Sequence, residues 1–181
     1  MKKMNSNFLH QSRSLTLVLV AAHVALANLV LTVSAWASCN VKAADNVTTT
    51  CTGLTLNQGN GAPGSFGGTN GYGTGIEKNL TVNIGSGARV IGTNDGIRAN
   101  DNLILTEMLG TIIGGANGIN ATDNFILGNS GSITGGALGN GILVKDSASI
   151  SNAGTITGAT NNSISAGNNL TVSNTGTITG K

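Results

Sequence analysis

Apolar residues recur along the chain in short alternating groups that return every 22 or 23 positions. From residue 79 onward, four segments cover 79–101, 102–123, 124–146 and 147–168, with lengths of 23, 22, 23 and 22 residues, and a partial fifth covers 169–181. Each full segment holds three apolar stretches separated by Gly, Asn and Ser. Alternation with period 2 predicts strands with one face turned inward, and no apolar run has the 3.6-residue spacing of a helix.

The stretches of successive segments align as three columns of similar residues. The second column is the most regular and contains Val90, Ile112, Ile133, Ile156 and Ile178. Three short strands per coil, stacked in register about 4.8 Å apart, form a parallel β-helix whose stability comes from neighbouring coils. Right-handed winding is the default for parallel crossovers. We therefore predict an all-β, right-handed parallel β-helix, or solenoid, with coils of about 22 residues.

Polar residues mark two corners of each predicted coil. The residues of the first corner are Asn79, Asn102, Asn124, Ser147 and Asn169. Asx side chains at such positions cap backbone groups exposed in the turn. The second corner consists of a polar residue followed by Gly or Ser, as in Asp95-Gly96, Asn117-Gly118, Asn140-Gly141 and Asn162-Ser163. This pattern predicts a positive φ at the second corner.

Residues 38–78 are predicted to form an N-terminal cap and a degenerate first coil. In this interpretation Leu54 and Leu56 occupy the first strand and Ile76 the third. The more regular repeats then fill 79–181, as about four full coils and a partial one.

A glycine-rich segment, residues 57–75, interrupts the first coil and contains Phe66 and Tyr72. Long loops on a repetitive scaffold are natural contact surfaces. One interpretation is therefore a contact loop that uses these two aromatic residues. The other is a flexible insertion that covers the top of the helix.

Residues 1–37 are typical of a signal peptide. A basic start precedes an apolar run over 15–33, and Ala35-Trp36-Ala37 supplies the small-x-small pattern of a cleavage site. We predict cleavage after Ala37 and export. The alternative is an uncleaved membrane anchor, because the run is just long enough to span a bilayer.

Removal of this leader changes the chemistry available to the chain. Both histidines and the only Trp leave with it, together with three of the nine basic residues, so the remainder has six basic and seven acidic residues. A nucleophile–histidine pair is then excluded. The remainder has no basic patch, and we expect no nucleic-acid partner.

Two cysteines, Cys39 and Cys51, follow the predicted cleavage site. Because export leads to an oxidising compartment, a disulfide between them is the simplest interpretation. Two free thiols are the alternative. A metal site is less favoured, because no histidine or further cysteine could complete the ligand set.

A column of charge is the best candidate for chemistry. Asp101, Asp123 and Asp146 take the same place in successive segments, with Lys78 and Asn168 beyond either end. Carboxylates stacked about 5 Å apart could recruit a cation such as Ca²⁺. The column is also similar to the acidic clusters of pectinase-like β-helix enzymes. The third interpretation is a solvated corner with Asp as a turn residue, and no other cofactor is expected.

The leader, the cysteine pair and repeats of the N-x-G-x-I-x-G kind together resemble the passenger region of Gram-negative autotransporters and related β-helical adhesins. The resemblance covers nearly all of 38–181. It implies export through the periplasm by the export machinery, location at the cell surface, in the outer membrane or outside the cell, and adhesion to a ligand on host or neighbouring cells. It also implies an outer-membrane barrel in the full-length form, so we expect the chain to be an N-terminal fragment.

Two other functions stay open at this point. A polysaccharide lyase or hydrolase would depend on Asp123 and its neighbours. A secreted amyloid-like fibre subunit is suggested because curlin-type subunits also have repeats near 22 residues, but those repeats carry inward glutamines, and Gln58 is the only glutamine after residue 37. The leading hypothesis is a non-catalytic, surface-displayed scaffold for adhesion.

Overall fold

A computed structural model describes residues 38–181, so the predicted signal peptide and its cleavage after Ala37 lie outside the described residues. This part of the chain is all-β and contains no helix long and apolar enough to cross a membrane. Its strands are β1 (Thr48–Cys51), β2 (Leu54–Leu56), β3 (Lys78–Ile84), β4 (Arg89–Gly92), β5 (Ile97–Met108), β6 (Thr111–Gly114), β7 (Ile119–Asp123), β8 (Phe125–Asn129), β9 (Ser132–Gly135), β10 (Ile142–Val144), β11 (Ala148–Asn152), β12 (Thr155–Gly158), β13 (Ile164–Ala166), β14 (Leu170–Asn174) and β15 (Thr177–Thr179).

The strands stack in parallel as the predicted solenoid. The second column is a six-stranded sheet in the order β15-β12-β9-β6-β4-β2. The first and third columns merge into one nine-stranded sheet, because β5 runs through a corner from the third strand of one coil into the first strand of the next. Register partners such as Val90 and Ile112, or Ile156 and Ile178, are 22 positions apart. The all-β solenoid with coils of about 22 residues is therefore confirmed.

The core lies inside the coils and is built from the predicted inward positions. Along the second column, Val90, Ile112, Ile133 and Ile156 are all fully buried. The first and third columns add further fully buried residues, among them Leu80, Leu103, Phe125, Ile97, Ile119 and Ile142. No single coil could enclose these side chains, so burial depends on the stacking of adjacent coils.

The prediction of positive φ at the second corner was wrong, and three asparagines of the first corner have positive φ instead. Asn79, Asn102 and Asn124 have φ values of 54°, 54° and 48°. Asn tolerates this left-handed region better than most residues. The glycine of the second corner is needed for space instead: a Cβ on Gly96 or Gly118 would lie 2.5 Å from a carbonyl oxygen of the next coil.

The first coil is shifted by one column relative to the prediction. The strand Leu54–Leu56 pairs with β4 and therefore belongs to the second column, where Thr55 is the register partner of Val90. Thr55 is buried, whereas Leu54 is 40% exposed. The assignment of Leu54 and Leu56 to a first strand was wrong because a threonine fills the inward position and the two leucines flank it. The first column begins instead with β1.

The third column of the first coil begins with Tyr72, which bridges to Ile97 in parallel. Ile76, the residue predicted for this place, is 73% exposed. A tyrosine whose ring is fully buried therefore replaces the isoleucine found in the later coils.

Candidate functional site

The N-terminal cap is fixed to the first coil by the disulfide predicted between Cys39 and Cys51. Both residues are fully buried and belong to the hydrophobic core. The cap also accepts a hydrogen bond from the Tyr72 hydroxyl, which donates to the Val41 carbonyl oxygen at 2.9 Å. The N-terminal residues are therefore attached to the first coil by a disulfide and by hydrogen bonds.

Three acidic residues share one column, as the sequence predicts. Lys78 pairs in register with Asp101, and Asp101 with Asp123. Asn124 interleaves with them: its side-chain Nδ2 donates to Asp101 Oδ1 at 3.0 Å, and its main-chain N–H donates to Asp123 Oδ1 at 2.7 Å. The amides of the adjacent corner thus occupy oxygen lone pairs that a cation would need.

The remaining members of this column follow the same arrangement. The Ser147 main-chain N–H donates to Asp123 Oδ1 at 3.4 Å, and Asn168 Nδ2 donates to Asp146 Oδ1. Between residues 38 and 181, no three Asp, Glu, His or Cys side chains are grouped in a way that could hold a metal ion. The calcium candidates Asp101, Asp123 and Asp146 therefore lie in one column, but their carboxylates are not grouped as the ligands of a metal ion.

The glycine-rich loop, residues 57–75, leaves the coil after the second strand and returns at the third. Backbone hydrogen bonds hold both of its ends: Asn57 N donates to Ile91 O at 2.9 Å, and Gln58 N to Gly71 O at 3.0 Å. The loop is therefore a folded part of the first coil, attached at its side.

The two aromatic residues of the loop have different environments. Phe66 is 51% exposed. Tyr72 is fully buried, and its prediction as a contact residue was wrong because it fills the inward position of the third column. Burial raises the pKa of Tyr72 to about 12; a hydrogen bond to Thr49 opposes this rise, and the charge of Glu77 adds to it.

The Glu77 side chain fixes the end of the loop through hydrogen bonds to residues 74–76. Its carboxylate is buried and accepts the main-chain N–H groups of Thr74 (2.9 and 3.0 Å), Gly75 (2.9 Å) and Ile76 (3.2 Å), and also the Thr74 hydroxyl at 2.7 Å. These donors satisfy the acceptor capacity of the buried carboxylate and fix the conformation of residues 74–76. Sequence reasoning missed this residue, although the T-x-x-E spacing of a capping box is a signal for it.

Below the loop, a second buried carboxylate connects two adjacent coils. Asp95 Oδ1 accepts from Asn117 Nδ2 at 2.9 Å, and Oδ2 accepts from Asn120 Nδ2 at 2.9 Å. The Nε atom of Arg98 lies 3.8 Å from Asp95 Oδ2, and the Arg98 side chain is 42% exposed. Arg98 is thus paired on one side and open to solvent on the other.

The loop and Arg98 enclose an open cavity of about 600 Å³. Four glycines line it, together with polar residues that include Gln58, Asn60, Ser65, Thr69 and Asn70. Gln58 is only 1% exposed, and its Nε2 donates to the Cys39 carbonyl oxygen at 3.3 Å. Within the described residues, Gln58 Oε1 and Ser65 Oγ are the buried side-chain oxygen atoms that have no hydrogen-bond partner.

Comparison with known proteins assigns no family, because no family model, no curated protein and no solved structure matches the chain.

Proposed function

We propose that the protein is a non-catalytic β-helical scaffold, exported and displayed at the bacterial surface, whose glycine-rich loop mediates adhesion to a ligand on host or neighbouring cells. The observation that carries this proposal is the loop over 57–75, which interrupts an otherwise regular solenoid and holds the half-exposed Phe66. Insertions that carry contacts on a rigid scaffold are a common way to build a binding surface.

Two features of the first coil support a binding role for the loop. Its ends are held by backbone hydrogen bonds, and Glu77 fixes the return of the chain through the N–H groups of Thr74, Gly75 and Ile76. A loop that is already ordered loses less conformational entropy when it binds. The buried Cys39–Cys51 disulfide supports export, because such bonds persist in oxidising compartments.

Surface display can be tested with antibodies raised against residues 38–181 on bacteria that carry the gene. We expect intact cells to be labelled, and a brief treatment with external protease to remove the label. Labelling that requires permeabilised cells would overturn the proposal of surface display.

Adhesion can be tested with matched substitutions of exposed apolar residues. Phe66→Ala changes the loop, whereas Leu138→Ala changes a residue that is 89% exposed on a later coil. We expect Phe66→Ala to reduce the number of bacteria that adhere to cultured epithelial monolayers, and Leu138→Ala to leave it unchanged, at equal surface labelling. Equal adherence of both variants and the parent would rule out the loop as the adhesive element.

A further inference from the structure

We propose that the cavity beneath the glycine-rich loop binds one acidic sugar unit, a hydroxylated six-membered ring that carries a carboxylate, such as a uronic acid. This inference rests on the proposed adhesive role of the loop and names the class of ligand. It is carried by three observations: the cavity itself, two buried oxygen atoms without partners, and one half-exposed guanidinium at the rim.

The size and chemistry of the cavity suit a small polar ligand. A volume of about 600 Å³ lies within the range of small-molecule sites. Asn60, Ser65 and Thr69 contribute amide and hydroxyl groups, and none of the described residues that line the cavity is aromatic. Recognition would therefore depend on hydrogen bonds, which favours a ligand with many hydroxyl groups.

The unpartnered oxygen atoms indicate which groups the ligand must provide. Gln58 Oε1 is an acceptor, so it requires a donor such as a sugar hydroxyl. Ser65, which also lines the cavity, has a hydroxyl that can donate or accept. Buried polar atoms in native proteins nearly always have a partner, and a bound ligand is one way to supply it.

Charge selects an acidic sugar over a neutral one. Arg98 is the only charged residue that lines the cavity, and its guanidinium makes no hydrogen bond to any side chain between residues 38 and 181. Asp95 lies near Nε at 3.8 Å, on the buried side. The planar guanidinium matches a carboxylate and can hold it through two parallel hydrogen bonds.

A single site of this kind is expected to be weak. Without aromatic stacking we expect a dissociation constant of about 1 mM for one sugar unit. Many copies of the protein on one cell would strengthen attachment to a polysaccharide that repeats the acidic unit, because each bound site raises the effective concentration at the next.

The first experiment is a titration of the purified full chain with glucuronate, glucose and acetate, followed by NMR chemical shifts of backbone amides. We expect saturable shifts with glucuronate, confined to residues 57–75 and the region of Arg98. Glucose should bind about tenfold or more weakly, because it lacks the charge-assisted contact. Absence of saturable shifts with glucuronate, or equal binding of glucose, would overturn the proposal.

Two substitutions and one control test the geometry. Ser65→Ala removes a hydroxyl that has no partner in the protein, so the unfolding midpoint should not fall while glucuronate binding weakens about two- to tenfold. Arg98→Gln should weaken glucuronate about tenfold and leave the weak binding of glucose unchanged. Ser151→Ala, an exposed serine outside the loop, should change neither. Unchanged glucuronate binding in Ser65→Ala and Arg98→Gln would refute the site.

The titration and the adherence assay separate the two proposals. If the adherence of Phe66→Ala falls but glucuronate does not bind, the sugar inference fails and the adhesive loop stands. If glucuronate binds but Phe66→Ala bacteria adhere normally, the adhesive role of the loop is refuted and the cavity stands as a binding site for an acidic sugar.

Discussion

Replacement of Asn152 by Ala should destabilise the solenoid by about 2–4 kcal/mol, because it removes the middle of a buried amide ladder. Asn129, Asn152 and Asn174 are register partners in successive first-column strands. Asn152 is buried; its Oδ1 accepts from Asn129 Nδ2 at 2.6 Å, and its Nδ2 donates to Asn174 Oδ1 at 2.7 Å. This asparagine belongs to the repeated S-N-x-G-T-I-T-G sequence, and its amide links three coils.

The magnitude follows from the contacts that disappear. Two short side-chain hydrogen bonds are lost, each with a net contribution of about 0.5–1.5 kcal/mol. The longer bonds that the same Nδ2 shares with the Gly154 and Thr177 carbonyl oxygens, at 3.2 and 3.3 Å, are lost with them. Asn129 Nδ2 keeps a bond to the Thr155 carbonyl oxygen at 3.3 Å, so it is not left without a partner. The small cavity left by the amide adds about 1 kcal/mol. These contributions together give the expected range.

Asn174 offers a matched control in the same ladder. It is exposed, and its replacement by Ala removes only one of the acceptors of Asn152, whose Nδ2 keeps the Thr177 and Gly154 carbonyl oxygens at 3.3 and 3.2 Å. We expect a loss below about 1 kcal/mol. Urea unfolding followed by far-ultraviolet circular dichroism measures both variants. Equal losses in the two, or a loss below about 1 kcal/mol for Asn152→Ala, would refute a buried ladder as a source of stability.

Three further predictions follow from other parts of the first coils. The pKa of Tyr72, the only tyrosine of the chain, is raised to about 12 in the folded protein from an ordinary value of 10.0, so its contribution to stability is fully present below pH 10 and is lost as the pH rises towards 12. Ultraviolet absorbance of tyrosinate should show a titration near pH 12 in buffer and near pH 10 in urea, and Tyr72→Phe should lose this signal. Gly118→Ala should destabilise the protein by about 2 kcal/mol or more in urea unfolding, because its Cβ would lie 2.5 Å from a carbonyl oxygen of the next coil. The control Gly67→Ala has open space at its Cβ and should stay within about 0.5 kcal/mol of the parent. Reduction of the Cys39–Cys51 disulfide, whose cysteines are 12 positions apart, should lower the free energy of unfolding by about 3 kcal/mol, and a midpoint unaffected by reductant would contradict this.

The regular coils could be predicted from the sequence because two independent patterns identify their inward positions. Period-2 alternation separates inward from outward residues within a strand, and the repeat of about 22 residues aligns strands of successive coils. The isoleucines at 112, 133 and 156 satisfy both patterns and are fully buried. The same reasoning failed in the first coil, where Thr55 is buried and the neighbouring Leu54 is exposed. The alternation of apolar residues predicts the reverse, with Leu54 inward and Thr55 outward.

The details of the site could not be predicted in the same way, because the glycine-rich loop occurs once and has no repeat with which to align it. Its shape depends on hydrogen bonds between distant residues, such as Asn57 N to Ile91 O, and on a carboxylate, Glu77, that collects backbone N–H groups. The sequence suggests Tyr72 as a contact residue because it lies in a long loop on a repetitive scaffold, which is a natural contact surface. Its place in the third column depends on a bridge to Ile97 across 25 positions.

One inward position holds apolar side chains in the first coils and asparagines in the later coils, and the glycine-rich loop is attached at the apolar end. Successive register partners are Cys51, Ile84 and Met108 near the cap, followed by the asparagines of the amide ladder. Apolar side chains gain stability through burial, whereas a ladder of amides also fixes register, because a shifted strand would leave donors without acceptors. The glycine-rich loop leaves from the apolar, disulfide-linked end. We expect local opening to be rarest there, so that the loop keeps a fixed shape while later coils open more often, and amide hydrogen exchange that is slowest in β3 and β5 would match this order.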